Sequence, residues 1–517
     1  MNVFRTPFAR NAIVWLVSVC WSTNSFATPQ DDLSFPLATP ESQGISEAMV
    51  RRVADEVHAY VENGTIIGGE LIVIKNRRTI LHEVFGDRDR EDKQPMEPNT
   101  IFNIRSMTKP LTGVAVQILA DEGKLKLDEP ASKYLPAFDN DPSRGITIEQ
   151  LLQHRSGLPL TILTARLDQF SDLQNQAEAI GEKGPDFRPG EKFWYSDAGS
   201  DAAAAIVEQL SGMTIDRFVA QRILEPLEMN DSFYLNAADP ASATDPRKNR
   251  VASLYIGNTG KWMKFWSPSR EPLYPFAWGS QSLYSTPADY ARFLALWMDE
   301  GVADDKQLLS KEAVARILTP VSPMKQLGGD NPYPCGFFGL KAHYGQMSML
   351  YAAGESPRAT DVVAFGHGGS DGTGAWAFPA EDLIVCYFTQ SRGQLSTIRL
   401  ETTIQDALLY RADETAVPAG IRPLIGTYTA TFGPFQDAAF HVVFRCGKLA
   451  MDIPGELMYE LREPDSEGRW ALVANESNYL TFKKDDGGNV LAMILHRPKV
   501  AIEMPRVNPT PQSQTEK

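Results

Sequence analysis

Ser106 and Lys109 stand three residues apart in Ser106-Met107-Thr108-Lys109-Pro110-Leu111, and residues i and i+3 share one face of a helix. The spacing sets a hydroxyl beside an amine. Serine is inert at its free pKa, so a base within hydrogen-bond reach turns it into a nucleophile. The four-residue pattern alone is weak, because at ordinary serine and lysine usage a chain of 517 residues should hold about two such pairs by chance. It holds two. The other, Ser322-Pro323-Met324-Lys325, lies in a Pro- and Gly-rich stretch without helical periodicity and reads as a loop. After Lys109, apolar residues at Leu111, Val114, Ala115, Ile118 and Leu119 repeat as a helix packed on a core does. Pro110 is tolerated only in a first helical turn. Ser106 is therefore expected at the helix N-terminus, where orphan N–H groups and the dipole favour a developing negative charge. Lys109 precedes a proline, which disfavours its own helical conformation.

Three other places hold chemistry-bearing residues: Tyr195-Ser196-Asp197, His367-Gly368-Gly369, and Gly368-Gly369-Ser370-Asp371-Gly372. The last matches the G-x-S-x-G of a nucleophile elbow, which must lead from a strand into a helix. Both sides of Ser370 read as strands, so Ser370 is not the expected nucleophile. His154, at the end of a short helix, reads as structural. The aromatics Trp262, Phe265, Trp266, Tyr274, Phe276 and Trp278 suit either an apolar cleft or a core. The seven histidines are scattered, with no Cys or His spacing of a metal site. No cofactor is expected.

The elements that must position these residues follow from the patterning. Glu47 to Glu62 has helical spacing, and Glu70 to Ile74 and Thr79 to Phe85 are strand-like runs divided by the polar turn Lys75 to Arg78. From Ser106 to about residue 320 the chain is mostly helix and long loop. Thr147-Ile148-Glu149-Gln150 is a capping box, and Thr286-Pro287-Ala288-Asp289 opens a helix running to Glu300. Strands return at Gly336 to Lys341, Val362 to Gly366, Gly374 to Phe378 and Leu383 to Thr389, and Thr397 to Ala412 closes with a helix. Strands at both ends with helices between imply one sheet built from distant segments, a helical insertion, and a cleft between the two layers. After a soft joint, Thr415 to Pro423, short alternating runs at Phe440 to Phe444, Tyr479 to Phe482 and Val490 to Leu495 predict a separate all-β domain of roughly 85 residues.

Length bounds the rest. A chain of 517 residues exceeds what one core usually serves. With 50 basic and 65 acidic residues the net charge is −15, and no basic cluster follows the extreme N-terminus; nucleic acid is excluded as a partner. Arg5 and Arg10, the apolar run Ala12 to Trp21 and the small residues of Ser25-Phe26-Ala27 form an export signal over residues 1–27. The apolar run is too short to span a bilayer. Its removal leaves Cys335, Cys386 and Cys446, hence at most one disulfide, with Cys386 read as a buried free thiol. The domains expected are a catalytic unit over 28–415, a C-terminal all-β, lipocalin-like unit over 420–506, and a polar disordered tail over 507–517. The oligomeric state is left open.

Taken in order, these motifs make the chain similar to the serine β-lactamase and penicillin-binding-protein superfamily, in its class C-like branch with family VIII carboxylesterases and D-alanyl-D-alanine carboxypeptidase-like proteins. Further stretches resemble that branch: Asp128-Glu129-Pro130-Ala131-Ser132-Lys133-Tyr134-Leu135-Pro136, Leu151-Leu152-Gln153-His154-Arg155-Ser156-Gly157-Leu158 and Tyr284-Ser285-Thr286-Pro287-Ala288-Asp289. The likeness covers about residues 40 to 412. It implies an α+β fold, an antiparallel sheet flanked by helices plus a helical subdomain, here followed by the C-terminal all-β barrel-like domain. It further implies Ser106 as the acylated nucleophile, Lys109 as the group that helps deprotonate it, and Tyr195 as second base and proton donor to the leaving group. The oxyanion hole would use the N–H groups of Ser106 and Ser370, with Gly368 and Gly369 allowing close approach; His367 would position the substrate or tune Tyr195. Two residues depart from the pattern. Asp197 stands where relatives carry asparagine, losing amide donors and adding an anion that would hold Lys109 protonated, and His367 replaces a lysine, weakening a grip on a substrate carboxylate. Both changes point away from β-lactams. The expected function is thus an exported serine hydrolase acting on small esters or related acyl compounds, with a small-molecule acyl substrate and neither nucleic acid nor metal as partner. The alternatives are a β-lactamase or D-alanyl-D-alanine carboxypeptidase-like enzyme and a catalytically silent cell-envelope binding protein.

Overall fold

Strand-forming runs from both ends of the catalytic region meet in a single sheet. The computed structural model describes residues 35–507, apart from 165, 326, 327, 331, 334, 335, 355, 394–399, 410–416, 434, 446 and 454–457. The export signal, Cys335, Cys446, the start of the joint and nearly all of the tail lie outside the described residues. The central sheet has β1 (Gly68–Lys75), β2 (Arg78–Asp89), β3 (Gln94–Pro95), β4 (Ser322–Pro323), β5 (Lys341–Tyr344), β6 (Met349–Ala352), β7 (Val362–Gly368), β8 (Gly374–Phe378) and β9 (Leu383–Thr389). Its order is β4-β5-β6-β7-β8-β9-β1-β2-β3 and its pairings are antiparallel. β1 joins the two halves, pairing Ile72 with Cys386 of β9 and with His82 of β2.

The central strands β1, β8 and β9 are buried on both faces. Leu71 and Val73 of β1 and Leu383, Val385 and Tyr387 of β9 pack under α1 (Glu47–Glu62), whose Val50, Val53, Ala54, Val57 and Tyr60 recur at helical spacing. The opposite face meets later helices. Phe388 contacts Tyr290 at 6.1 Å between centroids, and Phe365 contacts Trp297 at 5.6 Å. The helical layer comprises α2 (Lys109–Asp121), α3 (Ile148–Leu152), α4 (Leu173–Lys183), α5 (Asp197–Ser211), α6 (Ile215–Val219) and α7 (Pro287–Met298). Two capping expectations hold in atomic detail: Thr147 and Gln150 form a reciprocal box, and the Thr286 hydroxyl accepts from the Asp289 N–H. Lys109 is helical (φ −55°, ψ −43°) despite the following proline, because buried packing along α2 outweighs a local preference.

Three expectations for the first region need correction. Gly336 to Lys341 is not a strand; the pairing begins at Lys341 and continues through two short strands, β5 and β6, whose four residues each gave too short a pattern to read. Ser322-Pro323 is not a loop but the sheet's edge strand, a position that tolerates proline because one side needs no donor. The closing helix is short within the described residues, Glu401–Ile404 followed by a wider turn to Leu409. Among the described residues no helix is long and apolar enough to cross a membrane.

Residues 426–505 are all β. Gly426–Phe432, Phe435–Arg445, Lys448–Asp452 and Met458–Glu460 form one four-stranded antiparallel sheet; Trp470–Leu472, Asn475–Lys484, Val490–Arg497 and Val500–Pro505 form a second. They enclose a core of Tyr428, Phe440, Met451, Leu480, Met493 and Met504. The expected barrel does not close into one ladder: among the described residues the two sheets are joined by the isolated bridges Tyr428↔Arg506 and Leu461↔Leu472 and the backbone bonds beside them, such as Val507 N–H to the Thr427 carbonyl and Val473 N–H to the Glu460 carbonyl. Phe338 of the catalytic region packs with Ala450 and Met458 of this region, and Arg445 pairs with Asp406.

Candidate active site

Ser106 lies in a 3-10 turn, Arg105–Thr108, that runs directly into α2. The turn is anchored from two sides. Tyr290 donates to the Met107 carbonyl at 3.0 Å, and the Thr108 hydroxyl accepts from the Leu283 N–H at 3.1 Å. Arg105 has φ +48°, a left-handed conformation rare outside glycine. Its amide donates to Asn103 Oδ1 at 3.0 Å, and its guanidinium is held by Asp371 (Nε–Oδ2, 2.7 Å) and by the Tyr274 hydroxyl (2.7 Å).

Lys109 is fully buried, and three oxygens surround its Nζ: Ser106 Oγ at 3.2 Å, the Ser280 carbonyl at 3.1 Å and Asp197 Oδ1 at 2.6 Å. The ammonium also lies 4.8 Å from the centre of the Tyr195 ring. Burial pulls the Lys109 pKa down, but the Asp197 carboxylate and Tyr195 overcome this and hold it above its ordinary value. Lys109 is therefore an ammonium at neutral pH and donates to Ser106. Asp197 sits in the first turn of α5, where the dipole favours its charge. Burial, opposed by the Lys109 charge and reinforced by Asp197, raises the Tyr195 phenol, while hydrogen bonding with Ser106 and Lys109 works against the rise.

The segment carrying Tyr195 is stapled to the segment 154–160. Trp194 N–H donates to the His154 carbonyl (2.7 Å), Asp197 N–H to the Leu160 carbonyl (2.8 Å), and the Ser196 hydroxyl to the Pro159 carbonyl (2.7 Å). His154 lies beneath Tyr195 with ring centres 4.4 Å apart, and its Nδ1 accepts from the Ser196 N–H at 3.3 Å. Burial and the Lys109 charge keep it neutral. Its structural reading is thus refined: it is a buried platform for Tyr195.

His367 ends β7. Its Nδ1 donates to the Gly368 carbonyl at 2.7 Å, which leaves Nε2 to accept from the Tyr344 hydroxyl at 3.3 Å. Burial and the Lys109 charge push its pKa down to about 3, with the Gly368 bond resisting, so the ring is neutral. Its centre is 6.4 Å from that of Tyr195. Ser370 is exposed in the tight turn between β7 and β8, so the elbow context fails as expected. A side chain at Gly369 would strike Ile104 O at 2.4 Å; the glycine lets this turn lie against the segment that carries Ser106. Arg105 and Asp371 immediately adjoin Ser106 and Ser370, and their buried ion pair ties the two turns together.

Ser106, Tyr195, Asp197, His367, Gly368, Gly369 and Ser370 line one cavity of about 530 Å³. The tryptophans and tyrosines of the 262–278 stretch do not; Trp262, Trp266, Tyr274, Phe276 and Trp278 are buried in the core. The cavity takes its aromatic wall from Phe193, Tyr333, Tyr351, Trp376 and Tyr387 instead. For Tyr351, Trp376 and Tyr387 the local signal is alternation along β6, β8 and β9, which also describes ordinary core. Among the described residues no group of three or more His, Cys, Asp or Glu side chains is placed to hold a metal.

The Beta-lactamase family model matches residues 53–408, and the chain belongs to this family of serine hydrolases. Among its sequence relatives it is 26% identical over 385 residues to Protein Rv1367c of Mycobacterium tuberculosis (strain ATCC 25618 / H37Rv), covering 68% of this chain and 90% of that protein. It is 31% identical over 179 residues to Protein flp of Staphylococcus aureus (strain MW2), 34% of this chain and only 36% of flp. Two solved structures share the fold. The octameric penicillin-binding protein homologue from Pyrococcus abyssi has a TM-score of 0.60 at 21% identity, over 88% of this chain and 99% of that one. EstCE1, described as a hydrolase with promiscuous acyltransferase activity, has a TM-score of 0.57 at 19% identity, over 70% and 99%.

Proposed function

We propose that this protein is an exported serine hydrolase that forms an acyl-enzyme on Ser106 and hydrolyses small esters or related acyl compounds. The observation that carries the proposal is the Ser106 hydroxyl 3.2 Å from Lys109 Nζ, on the wall of a cavity shared with Tyr195 and Ser370. Ser106 Oγ attacks the acyl carbon as its proton passes to the Tyr195 oxygen. Lys109, held as an ammonium by Asp197, favours the phenolate that takes this proton. The N–H groups of Ser106 and Ser370 receive the charge on the carbonyl oxygen. Collapse breaks the bond to the leaving alcohol, which takes the proton back from Tyr195. Water then attacks the acyl-enzyme by the same route. Asp197 and the neutral His367 offer neither an amide donor nor a cation, which favours esters over β-lactams. Export rests on residues 1–27.

Intact mass after a fluorophosphonate probe tests the central step: one adduct is expected on the wild type and none on Ser106→Ala. An adduct that survives the substitution moves the nucleophile elsewhere, and no adduct on the wild type removes the enzyme reading. Faster turnover of a chromogenic cephalosporin than of p-nitrophenyl acetate would reverse the substrate preference. N-terminal sequencing of the exported form should begin at Thr28.

A further inference from the structure

We propose that Glu401 forms a second recognition point in the catalytic cavity and that it receives an organic ammonium group of the substrate. The inference deepens the acyl-enzyme reading and rests on it. Glu401 lines the same cavity as Ser106, yet it is only 3% exposed. Its Oε1 accepts from the Tyr387 hydroxyl at 3.0 Å, and its Oε2 has no hydrogen-bond partner among the described residues. A buried carboxylate is costly unless paired, and one phenol is a partial answer. The cations that line this cavity face elsewhere. Arg392 turns towards Asp371 (3.9 Å), and Lys325 donates to the Asp330 carbonyl (3.3 Å).

The surroundings fit an ammonium and not a metal ion. Trp376 donates to the Tyr387 oxygen at 3.4 Å, and Tyr351 stands edge-on to Trp376 with centres 5.1 Å apart. All three rings line the cavity. Aromatic faces attract an alkylammonium, and a carboxylate oxygen completes such a box. Two glycines make room for Tyr387 and Glu401 themselves. A side chain at Gly374 would strike the Tyr387 hydroxyl at 2.7 Å, and one at Gly336 would meet Glu401 Cβ at 2.6 Å. A lone carboxylate offers a metal ion too few ligands.

The test is inhibition of p-nitrophenyl acetate hydrolysis by hexylammonium chloride against hexan-1-ol, at constant ionic strength. Hexylammonium should inhibit about tenfold more strongly in the wild type, as expected for a charge-assisted contact. The ratio should fall to near one in Glu401→Gln and stay above one in Glu401→Asp. Equal inhibition in the wild type overturns the proposal. So does an ammonium preference that survives Glu401→Gln, which assigns the cation to Asp197. If the wild type neither hydrolyses the ester nor takes a fluorophosphonate, the acyl-enzyme reading fails instead. Calorimetric titration of hexylammonium into wild type and Glu401→Gln then decides the subsite by itself.

Discussion

Replacing Asp197 by asparagine should move the pH dependence of hydrolysis towards acid. Asp197 Oδ1 lies 2.6 Å from Lys109 Nζ, with the lysine fully buried and the aspartate side chain 21% exposed. At an effective dielectric near 20, two unit charges at that separation attract by about 6 kcal/mol. Partial exposure of Asp197 screens the pair, and half of that, about 3 kcal/mol, is a conservative share; at 1.36 kcal/mol per tenfold this is about 2 pH units. The sign is the same for either base. Asp197 raises the pKa of Lys109 and also that of Tyr195, so its neutralisation lowers both. In the wild type kcat/KM for p-nitrophenyl acetate should climb with pH through the alkaline range. In Asp197→Asn the rising limb should shift down by about 2 pH units, raising kcat/KM at pH 7 by about tenfold or more. Stability should fall by about 1 to 3 kcal/mol, since a buried ammonium loses its anion. A limb that stays in place or moves to higher pH would refute the reasoning.

Asp371→Asn should lower kcat by about 10- to 100-fold with little change in KM, because it releases the turn that carries the Ser370 N–H. It should also cost about 3 to 5 kcal/mol in urea unfolding, by leaving the Arg105 guanidinium short of its anion; an unchanged kcat would free the two turns from this clamp. Asp201 accepts from the Ser280 N–H at 2.9 Å and from Gln176 at 2.7 Å, and burial, reinforced by Asp197, pushes its carboxyl up to about 7. A raised folded pKa stabilises fully below about 3.8 and is lost as pH rises through 7. Asp201→Asn should therefore gain stability relative to wild type by roughly 2 to 3 kcal/mol more at pH 8 than at pH 5. A gain independent of pH would argue against it.

Much of the fold was legible because its signals are local. The apolar spacing of Glu47 to Glu62 marks α1 to the residue, and Gly374 to Phe378 and Leu383 to Thr389 are the strands β8 and β9 as read. Pro110 and the helix after it separated Ser106 from the decoy at Ser322. The signal failed where elements are short: β5 and β6 have four residues each, and the edge strand at Ser322-Pro323 has two. Three alternating runs marked the C-terminal region as all β, but the structure has eight strands there, and whether their ladders close was not legible because closure depends on pairing between distant edges.

Ser106, Lys109, Tyr195 and the glycine turn at Gly368 and Gly369 were singled out by residue type, spacing and order along the chain. So was the anion at Asp197. Their partners were decided only by the tertiary structure. Arg105 and Asp371 are 266 residues apart in sequence, and neither is distinguishable from a surface charge until the sheet brings β7 against the turn of Ser106. His154 gained its role from the ring above it, and Glu401 from a strand that carries Tyr387 beneath it. Charge, burial and hydrogen-bond partners belong to a folded neighbourhood. A sequence states which groups are available; long-range packing determines which of them share a cavity and in what state of ionisation.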